Sequence, residues 1–224
     1  MKKSIVKKWV STFSVLVLYT VSSIVILATA HGYTLDRDGN FVATSGIFLD
    51  SDMKDVQVFL NGIVLKDAPF PVKLSWIRPG HYTVQISKEG YIPWKKDFSL
   101  FVGQVKGYQD ITLVPQEISK EVLKEAIFSL SDDVYIKDIY ELWTEKDPQY
   151  ARFVTSFSNP IEMAGYFNRE HIIALVNHVV YIMDTDGENM HVIAQDVTQL
   201  SIEKNRSIVV QHEDNTFERY IIRE

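Results

Sequence analysis

The segment Trp9 to Ala30, WVSTFSVLVLYTVSSIVILATA, contains no charged residue. No other feature limits the chain as strongly. A helix crosses the hydrocarbon core of a bilayer with roughly 20 predominantly apolar residues. The serines and threonines fit such a helix, because their hydroxyls can bond back to helix carbonyls. Lys2, Lys3, Lys7 and Lys8 precede the run, and Asp36, Arg37 and Asp38 follow it. Lysines on one flank hold that flank in the cytoplasm. Residues 1–31 are therefore expected to be a cytoplasmic stub and a transmembrane anchor, meeting the membrane through residues 9–30. The protein is then single-pass in the cell membrane, with its body extracytoplasmic. Ala28-Thr29-Ala30 also fits a signal-peptide cleavage pattern, although the apolar run exceeds the roughly 7–15 residues of a typical signal h-region. Both readings export the body.

The remainder has ordinary globular chemistry. Of 224 residues, 46% are hydrophobic and 23% charged, enough apolar material for a core. There is no cysteine, which excludes disulfides and thiolate metal sites. The net charge is -6, and the four N-terminal lysines leave the body more acidic still. An acidic body argues against a nucleic-acid partner, which needs a cationic face.

Residues 32–44 are polar, carry Asp38-Gly39, and read as a linker. From Ser45 the apolar residues recur at every second position, the spacing of half-buried strands. Ile47 and Leu49 form one such set, Val56, Val58 and Leu60 the next. Asn61-Gly62 is a strong hairpin signal, because both positions tolerate positive φ. Val72, Leu74 and Trp76 begin another alternation, and Arg78-Pro79-Gly80 turns the chain. Tyr82, Val84 and Ile86 then share a face, Lys88-Glu89-Gly90 turns again, and Tyr91–Leu100 and Val105–Val114 supply the last strands. The pattern predicts a small β-sandwich or open barrel over residues 45–115. Trp76, Tyr82 and Tyr91 are expected to fill its core.

The order GIFL (46–49), VQVFLNG (56–62), APFPVKL (68–74), RPGHYTV (78–84), KEGY (88–91), WKK (94–96) and ITLVP (111–115) resembles the PEGA domain. The resemblance covers about a third of the chain. It implies a small extracytoplasmic β domain, often tethered by one helix, without catalytic residues to carry over.

Residues 116–130 space Val122, Leu123, Ala126, Ile127 and Leu130 by three and four, which predicts a connecting helix. Residues 131–224 return to strands, at 134–142, 151–157, 161–167, 171–176, 179–184, 190–195, 200–203, 207–212 and 217–222. Asp132-Asp133 is read as a turn. The stretch VVYIMDTDGENMHVIA (179–194), with FSNPI (157–161) and NREHIIAL (168–175), resembles bacterial β-propeller repeats. About three repeats are needed to bury such a core, more than this segment supplies. The fold expected overall is mainly β: a transmembrane helix, a PEGA-like β-sandwich, then an antiparallel lobe resembling propeller blades. An open sheet leaves an edge. The helix at 116–130 or a partner chain is expected to cover it, and Phe217–Ile222 reads as a protected edge.

No catalytic constellation emerges. The chain has no HExxH, GxSxG or P-loop. Asp184-Thr185-Asp186-Gly187-Glu188-Asn189 departs from the spacing of an EF-hand loop and reads as a hairpin turn. With Asp186-Gly187 at the tip, His191 faces Ile182 and lies about 13 Å from His178, too far to share a metal. Asn205-Arg206-Ser207 is a formal glycosylation sequon. Tyr91 and Trp94 are the candidate ligand-binding residues, as a stacking platform for a glycan or peptide. The expected protein is not an enzyme and uses no cofactor or metal. It is a membrane-anchored envelope protein with a structural or binding role towards a surface protein or glycan, and self-association is open to it. The alternative is the extracytoplasmic part of a sensor or regulatory complex.

Overall fold

The computed structural model describes residues 2–65, 69–128, 134–145, 147 and 149–223. Helix α1 spans Lys2–Ala30, and its segment Thr12–Ala30 is long and apolar enough to cross a membrane. Thr20 and Thr29 return their hydroxyls to the carbonyls of Leu16 and Val25, at 2.9 and 3.0 Å. This removes the polar cost of both side chains.

The expected linker is structured. β1 (Tyr33–Leu35) and β2 (Phe41–Ala43) form an antiparallel hairpin, with Leu35 opposite Phe41. Its turn is closed by the Asp36 carboxylate, which accepts the amides of Asp38 and Asn40 at 2.9 and 2.8 Å.

Seven strands follow: β3 (Ser45–Leu49), β4 (Gln57–Leu60), β5 (Ile63–Leu65), β6 (Val72–Ile77), β7 (Gly80–Ser87), β8 (Trp94–Leu100) and β9 (Val105–Tyr108). They make two sheets, ordered β6-β3-β9 and β5-β4-β7-β8. Asn61 and Gly62 take φ of 50° and 77° between β4 and β5, as the Asn-Gly signal predicts. Gly90 takes φ of 78°. Trp76, expected inside, is 67% exposed. Its φ of 63° breaks the regular alternation and turns the ring outward.

The second half holds β10 (Ser119–Leu123), β11 (Tyr135–Lys137), β12 (Glu141–Trp143), β13 (Phe153–Ser156), β14 (Ile161–Tyr166), β15 (His171–Val176), β16 (Val179–Asp184), β17 (His191–Ala194), β18 (Val197–Glu203), β19 (Ser207–His212) and β20 (Phe217–Ile221). Three antiparallel sheets result, ordered β11-β12-β13, β14-β15-β16-β17 and β10-β20-β19-β18.

The expected connecting helix is corrected. Residues 119–123 form strand β10, paired along its length with β20, and Leu130 lies outside the described residues, as do Asp132 and Asp133. Hydrogen bonding to an open sheet edge outweighs the weak helical spacing. For the same reason β20 lies inside its sheet, and β10 and β18 are the edges. Residues 134–142 do not run as one strand either. Positive φ at Asp138 and Ile139 folds them into the β11–β12 hairpin.

The chain divides into two compact units: residues 1–48, 72–82 and 97–107, and residues 49–71, 83–96 and 108–224. The division differs from a boundary at residue 115, because stretches within 45–115 fall in both. In the first unit Ile47, Val72, Phe98 and Leu100 are buried. The core of the second unit lies on both faces of β15, every residue of which is buried. Ile172, Ala174 and Val176 join Leu142 and Val154 of the β11–β13 sheet. Ile173 and Leu175 join Leu200, Ile208, Val210 and Tyr220 of the β10–β20–β19–β18 sheet. Two covered faces explain why IIALV (172–176) is a continuous apolar run. Three sheets are thus stacked in succession, and neither a closed barrel nor a propeller ring is formed among the described residues.

Candidate functional site

The candidate site is a buried charged cluster in the second unit, assembled from two distant stretches. The first is the start of β8. Its exposure alternates strictly, with Trp94, Lys96, Phe98 and Leu100 buried. The period of two thus turns Lys96 towards the interior, where it is 3% exposed. A buried ammonium requires counter-charges.

The second stretch supplies them. At the end of β16 the Gly187 amide donates to the Asp184 carbonyl, and the Asp184 amide to the Glu188 carbonyl, both at 2.9 Å. Gly187 has φ of 81°, and a Cβ there would collide with the Val154 carbonyl oxygen. Glycine is required on both counts. Asn189 follows with φ of 50°, and the ladder recovers at Ile182 opposite His191, the expected pair. This tight loop aims three carboxylates at one point. Lys96 Nζ lies 2.8 Å from Asp184 Oδ2, 2.6 Å from Asp186 Oδ1 and 3.0 Å from Glu188 Oε2.

Further contacts fix the geometry. Trp94 Nε1 donates to Asp184 Oδ2 at 3.0 Å. Asn189 Nδ2 donates to the same oxygen at 2.8 Å and to the Lys95 carbonyl at 3.0 Å, while its Oδ1 accepts the Lys95 amide at 3.2 Å. The Asn189 side chain thereby binds the β8 backbone as a neighbouring strand would. On the other side of Asp184, Oδ1 faces His171 Nε2 at 3.1 Å, across the direct β15–β16 pair His171–Asp184. Asn168 Oδ1 accepts the amides of Glu170 and His171 and contacts His171 Nδ1 at 2.9 Å. Asn168 Nδ2 in turn donates to the Asp110 carbonyl and Thr112 Oγ1.

The electrostatics follow from this arrangement. Burial alone would push the Asp184 carboxyl up, but His171 and Lys96 outweigh it and hold the group below the usual carboxylate range. Burial likewise opposes the Lys96 charge. Asp184 foremost, with hydrogen bonds from Asp184, Asp186 and Glu188, holds that lysine above its usual range. Tyr108 stands edge-on to Trp94 at 5.2 Å between centroids. Its phenol is pushed up to about 12, mainly by burial, with the surrounding carboxylates adding to the shift against the pull of Lys96.

Chemically this is an internal ion cluster. The ammonium of Lys96 occupies the position that a bound cation would take among the carboxylates. Among the described residues no group of His, Asp and Glu is arranged to hold a metal.

The two residues expected as a stacking platform have other surroundings. Trp94 is 4% exposed, so its ring presents no face to a ligand. Tyr91 is half-buried, bridges to Pro115, and lies beneath Lys88 Nζ at 5.0 Å from the ring centroid. Sequence reading missed Lys96, Asp184 and His171. One signal was present: a lysine on the apolar face of an alternating strand, between Trp94 and Phe98. No family profile matches the chain, and no curated protein matches it.

Proposed function

We propose that this protein is a membrane-anchored envelope component, with its N-terminus cytoplasmic and its β-rich body extracytoplasmic. There the body serves a structural or binding role towards a surface protein or glycan. One observation carries the reading. Several apolar side chains of α1, among them Leu16, Leu18, Ile26 and Leu27, are at least 60% exposed, and none of the described residues covers them. Lipid is the environment in which such a surface is stable. The lysines preceding the helix favour the stated orientation, and the resemblance of residues 45–115 to the PEGA domain supports an extracytoplasmic setting. The buried charges support a scaffold rather than a reaction centre, since Lys96, Asp184 and His171 are engaged with one another.

The chain has no cysteine, so single cysteines can report topology. A cysteine replacing exposed Ile63 should react with a membrane-impermeant maleimide in intact spheroplasts. One replacing Ser4 should react only after lysis. The reverse pattern refutes the orientation, and release of the labelled protein into the medium refutes the anchor.

A further inference from the structure

The first unit carries an apolar surface at the point where its chain leaves α1. Only His31 and Gly32 separate the end of the helix from the β1–β2 hairpin. Leu35 and Phe41 are directly opposite in the ladder, and Tyr33 lies two residues from Leu35, so the three side chains share one face. They are 39–49% exposed, so among the described residues no strand covers that face. An isolated two-stranded ribbon is marginal in water.

A second apolar group is fastened to the same exit. Thr44 donates its amide to the Gly32 carbonyl at 2.6 Å and its hydroxyl to that same oxygen at 2.9 Å. The Gly103 amide then donates to the Thr44 carbonyl at 2.8 Å. The backbones at Gly32 and Gly103 are so close that a Cβ on Gly32 would collide with Gly103. Gly103 belongs to the turn Phe101–Gln104, closed by the Gln104 amide on the Phe101 carbonyl at 3.0 Å and by Gln104 Oε1 on the Phe101 amide at 3.0 Å. The turn therefore holds Phe101, 70% exposed, and Val102, 43% exposed, beside the end of the helix.

We propose that Tyr33, Leu35, Phe41, Phe101 and Val102 form an apolar collar that embeds in the lipid interface around the exit of α1. This rests on the reading of α1 as a retained anchor. Tyr33 is at most about 10 Å of extended chain beyond Ala30, and the interfacial zone of a leaflet is about 5–7 Å deep. Residues tied to the helix end cannot leave that neighbourhood. Aromatic side chains with apolar bodies are favoured there. Asp36, Arg37 and Asp38 sit at the turn of the hairpin, where their charges remain in water. Apolar contact drives the insertion, so a zwitterionic bilayer suffices.

The test uses the full chain in phosphatidylcholine vesicles, with an environment-sensitive fluorophore on a single cysteine. The variants are Leu35→Cys, Phe101→Cys and, within the helix, Val21→Cys. Some lipids are brominated near the headgroup and others near the bilayer centre. The Val21 label should be quenched most by the deep bromines. Those at 35 and 101 should lose roughly half their emission to the shallow bromines and little to the deep ones. If Val21 is quenched while 35 and 101 are not, the collar is refuted and the anchor stands. Blue-shifted emission at 35 and 101 without quenching means that protein covers the surface, which also refutes the collar. An unquenched Val21 refutes the anchor, and the collar with it.

Discussion

Trp94 donates its indole N–H to Asp184 across 90 positions of sequence, at 3.0 Å and within the interior of the second unit. The bond joins the first residue of β8 to the last of β16, and its acceptor is a carboxylate also held by Lys96 and Asn189. Trp94→Phe keeps an aromatic ring near Tyr108 but removes the donor together with part of a buried ring. A hydrogen bond to a charged group contributes about 1.5–3 kcal/mol. The variant should lose at least that much stability, since the cavity left by the smaller ring adds to the lost bond, read as a lower thermal midpoint of the full chain in mild detergent. An unchanged midpoint would show that Lys96 and Asn189 satisfy Asp184 without the indole.

Removing one partner from a buried ion cluster costs more, about 3–5 kcal/mol, because the remaining charge is left uncompensated. Lys96→Met should therefore exceed Trp94→Phe. The pH dependence distinguishes this from lost packing. The Asp184 pKa is depressed in the folded state, so its contribution is present above about pH 4 and is lost as pH falls through the depressed value. The Lys96 pKa is raised, so its contribution is present below about pH 10.4 and is lost as pH rises through the raised value. The gap in melting temperature between wild type and Lys96→Met should thus be widest near neutrality and narrow below about pH 4. A gap of constant size would mean that the Asp184–Lys96 attraction contributes nothing.

The stacking of three sheets makes a separate prediction at β15. A strand with one covered face would tolerate truncation at every second position. Here Ile172 faces one core and Ile173 the other, both without exposure. Ile172→Ala and Ile173→Ala should each cost about 2–5 kcal/mol. Equal losses in chemical denaturation would support burial on both faces. If one variant melts like wild type, the sheet on that side is not packed against β15.

Local chemistry made much of the fold legible. The strands at 171–176, 179–184 and 207–212 have the limits that their apolar runs predict, and the Asn61-Gly62 hairpin forms where its φ requirement points, whereas at Asp186-Gly187 only the glycine takes positive φ and the loop is longer than two residues. The segment at 116–130 misled because its spacing is helical while residues 119–123 pair with β20, an element almost a hundred residues later. Val122 is 78% exposed and Ile127 92%, so these two residues of the expected stripe lie outside any core. The cluster around Lys96 was legible only in halves. WKK and DTDGEN each stood out, but no local rule states that a lysine at residue 96 neutralises a turn at 184–188. Trp94 was singled out for its ring, and the atom that ties it to Asp184 is its N–H.

Two glycines separate backbone strain from crowding. Gly90 and Gly187 have nearly the same φ, 78° and 81°. An added Cβ at Gly90 meets nothing within 4 Å, whereas at Gly187 it collides with the Val154 carbonyl oxygen. Gly90→Ala therefore carries only the left-handed penalty, about 1–2 kcal/mol. Gly187→Ala carries that penalty and must also displace either β13 or its own turn. Moving the turn displaces Asp186 and Glu188 from Lys96, so the ion cluster is weakened as well. Gly187→Ala should lower the melting midpoint clearly more than Gly90→Ala, and Lys96→Met should then cost less in the Gly187→Ala background than in wild type. Equal effects of the two glycine variants would show that the turn does not press against β13. Full additivity with Lys96→Met would show that the turn holds its carboxylates independently of Gly187.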